Sequence, residues 1–374
     1  MPRKIQHIMT KSRGIKCLVE MMCFFGMILI PNMADANSGV FALDEPAIHV
    51  LRPVKVYLDA LDIAGNKIIA GGEHGVIIYS GDNGATWTQA HVPVDVTITA
   101  FSFADSKYGW AVGSSGVVLF TANGGKDWSL QLNGFQADKL MMKAAEKAVA
   151  DKNPSVGTPM ALNRAQILMK RGASTPFLCV LALSRQNVLA FGAYRMTMRS
   201  TDGGRNWQDA SLDIDDPLSH DLYGAAIVDD NIYVVGEMGL VFRSTDGGKT
   251  YPAVTKAANA TLFGVVGAEN GSVVVYGVAG TLARSTDKGK SWKTISMPST
   301  ADLTDGILLA SGKLLITGAD GAVYISSNNG RTYKTAKHYI PMAVFAVAQA
   351  PNGKLVFAGS RGIMIESIHK LDQK

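Results

Sequence analysis

A 21-residue pattern occurs six times in this chain and constrains its fold more than any other feature. Each copy contains a hydrophobic strand, a turn, a second strand, and a polar turn that ends in an aromatic residue. The copies occupy residues 67–87, 108–128, 187–207, 231–251, 272–292 and 313–333. Their starting points are therefore 41, 79, 44, 41 and 41 residues apart. A period near 41 residues with two visible strands per unit is typical of a β-propeller blade.

The number of blades follows from the strands that flank the six copies. An apolar stretch precedes each copy and would supply the innermost strand of its blade, and a seventh pair of strands lies at 343–367 without a polar turn. We therefore predict an all-β, seven-bladed propeller as a single domain over 37–374. Residues 47–53 would supply the outer strand of blade seven and close the ring. A six-bladed ring with 343–367 as a tail is the alternative.

The 79-residue gap indicates an insertion between blades two and three, over residues 132–176. The spacing of apolar residues predicts an amphipathic helix at 137–151 and a shorter, basic helix at 162–170, with Asn153 and Pro154 ending the first. Connections from an outer to an inner strand leave a propeller on the face that also carries the turns between second and third strands. We therefore expect the insertion to lie over the mouth of the channel, either as packing or as a lid or docking element.

The first 36 residues are predicted to be a secretory signal rather than part of the fold. Basic residues precede an apolar run at 21–30, and Ala34-Asp35-Ala36 resembles a cleavage site. The apolar run is too short to span a bilayer as a helix. An uncleaved anchor is the alternative. Cleavage would place the protein in the periplasm, or in the thylakoid lumen of a photosynthetic organism.

Composition excludes several classes of function. Without 1–36 the chain has 31 basic and 29 acidic residues, a net charge of +2, which gives no electrostatic basis for nucleic-acid binding. Cys179 would be the one cysteine left, in an apolar strand that predicts a buried, inert thiol. The acidic segment 210–221 lacks the glycine and terminal glutamate of a calcium loop and is interpreted as an exposed connection. The sequence indicates no metal, no cofactor and no obligatory small-molecule ligand.

The polar turn of each repeat follows the pattern Ser-x-Asp-x-Gly-x-x-Trp, with conservative replacements in some copies. A short Asp or Asn can accept backbone N–H groups across its own turn, glycine adopts positive φ, and the aromatic ring packs on the sheet. One copy per blade predicts a structural role. The residues are Asp82, Asn123, Asp202, Asp246, Asp287 and Asn328, with Trp87, Trp128, Trp207 and Trp292.

This turn resembles the Asp-box, or BNR repeat, of sialidases and related propellers. The longer repeat, as in YGWAVGSSGVVLFTANGGKDW, resembles the photosystem II stability/assembly factor family over nearly all of 54–367. That resemblance implies a lumenal or periplasmic seven-bladed propeller without catalytic activity, which assists the assembly of a membrane protein complex. The insertion at 132–176 departs from the simple family plan.

Two sets of residues are candidates for partner binding. Adjacent blades three, four and five carry an arginine directly before the box. These are Arg199, Arg243 and Arg284. They form either a basic stripe for a membrane-protein client or stems that cover the sheet and pair with box carboxylates. The second set lies in turns around the channel mouth, where a solvated rim is the alternative. It comprises Glu73, His74, Arg195, Glu237 and Arg361.

A hydrolase is the alternative to a scaffold, because sialidases also carry Asp-boxes. The Phe/Tyr-Arg-Ile-Pro motif of those enzymes does not occur in this sequence. Glycoside hydrolysis requires two facing carboxyl groups. Glu73, Glu237 and Asp320 are available, but the sequence does not pair them. We predict a non-catalytic scaffold for a membrane protein or membrane-associated complex, with a secreted glycoside hydrolase or carbohydrate-binding propeller as the alternative.

Overall fold

The computed structural model describes residues 42–151 and 158–369 of the 374-residue chain. These residues form 26 strands in seven antiparallel sheets, five with four strands and two with three. Each sheet is continuous in sequence, and neighbouring sheets pack through their innermost strands. The prediction of an all-β, seven-bladed propeller is confirmed. The predicted signal at 1–36 lies outside the described residues.

The strands of each blade run outward from the axis in chain order. Blades one and two consist of β1 (Leu58–Ala64), β2 (Lys67–Gly72), β3 (Ile77–Ser80), β4 (Thr88–Gln89), β5 (Ile98–Phe103), β6 (Gly109–Gly113), β7 (Val118–Thr121) and β8 (Ser129–Leu132). Blades three and four consist of β9 (Phe177–Ala182), β10 (Val188–Gly192), β11 (Thr197–Ser200), β12 (Gln208–Asp209), β13 (Leu222–Val228), β14 (Asn231–Gly236) and β15 (Val241–Ser244).

The remaining three blades follow the same plan. They consist of β16 (Leu262–Gly267), β17 (Val273–Gly277), β18 (Leu282–Ser285), β19 (Lys293–Thr294), β20 (Leu303–Leu308), β21 (Leu314–Gly318), β22 (Val323–Ser326), β23 (Lys334–Thr335), β24 (Val344–Gln349), β25 (Leu355–Gly359) and β26 (Gly362–Glu366). In blade four a single bridge between Phe242 and Ala253 stands in the place of a fourth strand.

The second strand of each blade is buried almost throughout, because both of its faces pack against neighbouring blades. This strand ends in glycine, and the innermost strand opposite it carries a β-bulge after its first residue. A Cβ on Gly72 would collide with the carbonyl oxygen of Tyr57, and one on Gly236 with that of Asp221. The recurrent glycine therefore lets the bulged inner strand approach closely.

The ring closes differently from the sequence prediction. Residues 47–53 do not form the outer strand of blade seven, which has three strands. Instead the N–H of Ala47 donates to the carbonyl oxygen of Val92 at 3.0 Å, and the Gln89 side chain bonds the backbone of Ile48 and Val50. The segment thus lies along the outer edge of blade one. Buried apolar residues of β1 to β3 and of β24 and β25 close the ring by packing.

The insertion contains two helices, α1 (Gly134–Val149) and α2 (Thr158–Arg171). Both begin earlier than the sequence predicted. A capping box starts α1, in which the Asn133 side chain accepts the N–H of Gln136 and the Gln136 side chain accepts that of Asn133. The predicted stop at Asn153 and Pro154 lies outside the described residues.

Both helices are packed into the propeller. Met141 of α1 and Leu168 of α2 belong to the buried cluster that contains Trp110 of blade two and Phe177 of blade three. The first residue of α1, Gly134, lies against the turn after β6. Across residues 42–151 and 158–369, no helix combines the length and apolar character needed to cross a membrane.

Candidate partner-binding surfaces

The Asp-box of blade one shows what the repeated turn does. Ser80 Oγ accepts the N–H of Gly84 at 2.8 Å and donates to Asp82 Oδ1 at 2.7 Å. Asp82 in turn accepts the N–H and the hydroxyl of Thr86 at 2.9 and 2.6 Å. The Trp87 ring N–H donates to the carbonyl oxygen of Gly84. The Ser80 hydroxyl, the Asp82 carboxylate and the Trp87 ring N–H therefore all form hydrogen bonds within the turn.

The same hydrogen bonds recur in five more blades. In each, a Ser or Thr hydroxyl accepts a glycine N–H four residues later, and the acidic or amide side chain accepts backbone N–H groups. The acceptors are Asn123, Asp202, Asp246, Asp287 and Asn328. Trp128 bonds its own turn as Trp87 does, Trp207 is largely buried, and Trp292 donates to the carbonyl oxygen of Thr255.

These bonds also fix the charge of the boxes. A hydrogen bond from the side chain four residues later holds the pKa of Asp82, Asp202 and Asp287 at about 2. These three carboxyls are therefore ionised at neutral pH and accept hydrogen bonds from their own turns.

The arginine stripe contacts neighbouring blades. Arg199 of blade three donates to the carbonyl oxygen of Gly248, in the box turn of blade four, and its Nη2 lies 3.0 Å from Asp213 Oδ2. The side chain is 18% exposed. Its guanidinium group therefore lies in the seam between two blades.

The next two blades repeat this contact. Arg243 Nη1 donates to the carbonyl oxygen of Lys288, in the box turn of blade five, at 2.8 Å. Arg284 Nε donates to the carbonyl oxygen of Asn329, in the box turn of blade six, at 2.6 Å. All three arginines are half-buried. Each one ties the box turn of the following blade to its own sheet.

Other side chains make the equivalent tie where arginine is missing. Gln131 Nε2 of blade two donates to the carbonyl oxygen of Gly203 in the box turn of blade three, at 3.0 Å. Between blades seven and one, the N–H of Asn352 donates to Asn83 Oδ1 at 3.2 Å. The position of the stripe thus corresponds to a recurrent seam contact.

The channel-mouth candidates divide into exposed and engaged residues. Glu73, His74 and Arg361 are exposed, and His74 Nδ1 lies 2.9 Å from Asp95 Oδ1. Glu237 is half-buried, and its Oε2 accepts the N–H of Asp221 at 2.9 Å. The structure places these residues in the turns after the second strands but gives them different surroundings.

Arg195 is not part of an open rim. It is 4% exposed, and its Nη1 donates to the carbonyl oxygens of Ile214 and Asp216. The interpretation of 210–221 as an exposed acidic connection is wrong for Asp216, which is buried and holds the N–H and ring of His220 at 2.6 and 2.9 Å. This loop is internally tied and rests on Arg195.

A groove lies between α2 and this loop, and the sequence analysis did not identify it. It has a volume of about 340 Å³, with Met160 and Ile167 on the helix side, Leu218 on the loop side and Tyr194 at one end. Its two walls lie about fifty residues apart in the sequence, so no local motif predicts that they come together.

Two carboxyl groups near the axis were also missed. Asp62 Oδ1 and Oδ2 accept the N–H groups of Ile63 and Phe103 at 2.7 and 3.0 Å. Because Phe103 belongs to the inner strand of blade two, Asp62 joins two blades. Burial raises the pKa of Asp62 to about 7.

Asp305 does the same between blades six and seven. Its two oxygens accept the N–H groups of Gly306 and Val347 at 2.7 and 2.8 Å, and burial raises its pKa to about 6. Asp62 and Asp305 line one cavity of about 530 Å³. Both carboxyl groups are occupied by backbone donors, so their evident role is to connect inner strands.

Residues 177–262, which span blades three and four, match the model of a family described as photosynthesis system II assembly factor YCF48. The resemblance inferred from the repeats is thereby confirmed. Among curated proteins, none matches this sequence.

Solved structures of similar fold cover most of the chain. A structure described as YCF48 bound to D1 peptide has a TM-score of 0.60 and 16% identity, over 87% of this chain and 99% of that one. YCF48 from Cyanidioschyzon merolae has a TM-score of 0.59 and 13% identity, over 84% and 96%. The GH74 xyloglucanase from Xanthomonas campestris has a TM-score of 0.58 and 13% identity, over 83% of this chain and 52% of that one. At these identities the similarity shows the fold alone.

Proposed function

We propose that this protein is a non-catalytic scaffold that binds a membrane protein or membrane-associated complex and assists its assembly or operation. The observation that carries the proposal is the match of residues 177–262 to the YCF48 family. A YCF48 of the same fold holds a D1 peptide, which is consistent with peptide binding as the activity of such a ring. The tied seams suit this role, since a rigid surface loses little entropy on binding.

The proposal includes a location outside the cytoplasm. Its support is the predicted signal at 1–36 with the Ala34-Asp35-Ala36 site. In a photosynthetic organism the client would be a photosystem; elsewhere it would be another membrane complex of the same compartment.

We assign the arginine stripe first to stability. Arg199, Arg243 and Arg284 each donate to a carbonyl oxygen of the next blade, so replacing them would disturb the ring as well as any client contact. Glu73, His74 and Arg361 are exposed, so they are better candidates than the arginine stripe for client contacts on the channel-mouth face.

The test is capture of the client from native membranes. The tagged chain, expressed in its own organism, is crosslinked in intact cells, purified from solubilised membranes and examined by mass spectrometry. We expect one integral membrane complex to be enriched over a tagged, unrelated periplasmic protein. Crosslinks should map to the channel-mouth face. Enrichment of no membrane protein would contradict the scaffold.

A glycoside hydrolase is the second candidate, favoured by the GH74 fold similarity and by Asp62 and Asp305 in one cavity. In a hydrolase, one carboxyl would protonate the leaving group and the other would act as base or nucleophile. Incubation with xyloglucan and assay of reducing ends tests it. Release of sugar that Asp62→Asn abolishes would favour the hydrolase over the scaffold.

A further inference from the structure

The groove between α2 and the loop at 217–219, called the insertion groove below, has apolar walls that face each other. Met160 and Ile167 of α2 are 45% and 44% exposed, and Leu218 on the loop is 73% exposed. Three large apolar side chains are therefore exposed around one concavity, and ligand sites are usually concave with largely apolar walls. The volume of about 340 Å³ lies within the range of ligand sites, about 300–1,000 Å³.

The walls are held in place by polar contacts that cross from the helix to the propeller. Arg164 of α2 donates to Ser219 Oγ and Ser211 Oγ, both at 2.9 Å. Arg171, also of α2, donates to the Tyr194 hydroxyl at 2.9 Å. The helix is therefore fixed to the loop through Arg164 and to the turn after β10 through Arg171. A groove fixed in this way binds without first having to be ordered.

The charge of the groove is one-sided. Arg164 and Arg171 line it, and among the described residues no acidic side chain does. Arg164 is 9% exposed and forms the floor, whereas Arg171 is exposed at the rim, beside Lys170. The acidic residues Asp209 and Asp216 influence Arg164 from behind the groove. A ligand that brings a carboxylate to the rim would therefore meet an accessible guanidinium group.

We propose that the insertion groove binds an extended peptide segment of the client in which a carboxylate side chain stands next to apolar side chains. This inference rests on the proposed scaffold function and names the chemistry of the partner at one surface. The apolar residues would enter between Met160, Ile167 and Leu218, and the carboxylate would pair with Arg171. A concave site with opposed apolar walls fits a peptide better than a flat lipid surface, which would favour a convex apolar face.

The test uses labelled peptides and the full-length mature chain. The probe is a fluorescein-labelled Gly-Leu-Glu-Leu-Glu-Gly peptide, compared with peptides in which Lys replaces Glu or Ser replaces Leu. Fluorescence anisotropy should show saturable binding of the first peptide and at least tenfold weaker binding of the other two. Binding of the first peptide should weaken as salt rises.

Three variants locate the binding. Leu218→Asp and Arg171→Glu should each weaken the peptide at least tenfold. Lys139→Glu, on an exposed position of α1 outside the groove, makes the same charge change and should leave the affinity unchanged. Leu218 is mostly exposed, so the variant should fold, which circular dichroism checks. Equal binding of the Lys peptide, no binding of the Glu peptide, or an unaffected Leu218→Asp variant would overturn the proposal.

Two further measurements distinguish peptide binding from membrane binding at the groove, and the groove proposal from the scaffold proposal. Binding to phosphatidylglycerol vesicles that Leu218→Asp abolishes, without peptide binding, would assign the groove to a membrane surface and overturn the peptide proposal. Capture from native membranes is then repeated with Leu218→Asp. Loss of the client supports the groove, whereas retention of the client overturns the groove and leaves the scaffold function standing. If neither chain captures a client, the scaffold function fails, and the peptide assay alone decides the groove.

Discussion

Two groups of aspartates in this propeller differ in surroundings: those of the box turns at the rim, and Asp62 and Asp305 on the innermost strands near the axis. At the rim, Asp82 is exposed, accepts donors of its own turn, and has its pKa lowered to about 2 by those bonds. Near the axis, Asp62 and Asp305 are half-buried, accept N–H groups of the next blade, and have pKa values raised by burial. The rim aspartates stabilise a turn, and the axial ones stabilise the junction between blades.

The contrast explains how a ring of similar blades remains one cooperative unit. The Ser and Asp hydrogen bonds of a box join residues of the same turn, so the box orders its own blade. The seams need groups that reach across, which are Asp62 and Asp305 near the axis and arginines such as Arg199 at the rim. The repeated turns therefore order the blades, and side chains that reach across the seams join them.

The largest expected effect comes from the axis. Asp62→Ala or Asp305→Ala leaves two partly buried N–H groups without an acceptor, one on its own inner strand and one on that of the next blade. Such groups cost about 1–3 kcal/mol each when fully buried. We therefore expect each variant to lose about 2–4 kcal/mol of unfolding free energy in denaturant titrations near about pH 4, below the raised pKa values of both carboxyls. Asp215→Ala, at an exposed position, is the control and should change little. An axial variant as stable as this control would break the comparison.

The seam at the rim should come next. Arg199→Ala removes the bond to Gly248 and the pairing with Asp213, and should cost about 2 kcal/mol. Arg243→Ala removes one bond, at a more exposed site, and should cost about 1 kcal/mol. Denaturant titration of both variants measures the difference. If Arg243→Ala is the more damaging, the seam role does not depend on the bonds that Arg199 makes.

A box variant should act more locally. Ser200→Ala leaves the buried N–H of Gly204 without its acceptor and should cost about 1 kcal/mol. Because the box serves its own turn, hydrogen exchange should quicken in blade three and stay unchanged in blades six and seven. Arg199→Ala, in contrast, should quicken exchange in blades three and four together. Exchange that spreads around the whole ring in Ser200→Ala would remove the distinction between turn and seam.

The sequence predicted what depends on local, repeated chemistry. Blade number, box turns and the helical insertion follow from patterns that recur or have a period, and even the earlier start of α1 is visible in the Asn133-x-x-Gln136 capping box. The sequence did not predict the axial carboxyls, because Asp62 and Asp305 lie at different positions of their inner strands, four and two residues after the first. No repeat marks them.

Contacts between distant segments were also beyond the sequence. The prediction that residues 47–53 form the outer strand of blade seven was wrong, because the Gln89 side chain holds that segment along blade one. The insertion groove requires Leu218 to face α2, and the burial of Arg195 depends on the path of the following loop. Residue type alone does not set such paths.

The dependence of stability on pH has opposite signs in the two regions. The pKa of an axial carboxyl is raised in the folded state, so the folded protein binds more protons than the unfolded chain, whose carboxyls have a pKa of about 4. The contribution of Asp62 is therefore complete below about pH 4 and is lost as pH rises toward about 7. The contribution of Asp82 is present above about pH 4 and is lost as pH falls toward about 2.

Two amide variants separate the pH dependence caused by Asp62 from that caused by Asp82. Melting temperatures from pH 2 to pH 8 measure both. Asp62→Asn should flatten the decline between pH 4 and pH 7, judged by slope because its absolute stability also changes. Asp82→Asn should flatten the decline below pH 4 at little cost at neutral pH, since blade six already uses Asn328, whose amide donates to Thr332 where Asp82 accepts from Thr86. If Asp82→Asn instead changes the decline in stability between pH 4 and pH 7, the rim carboxylates do more than order their own turns.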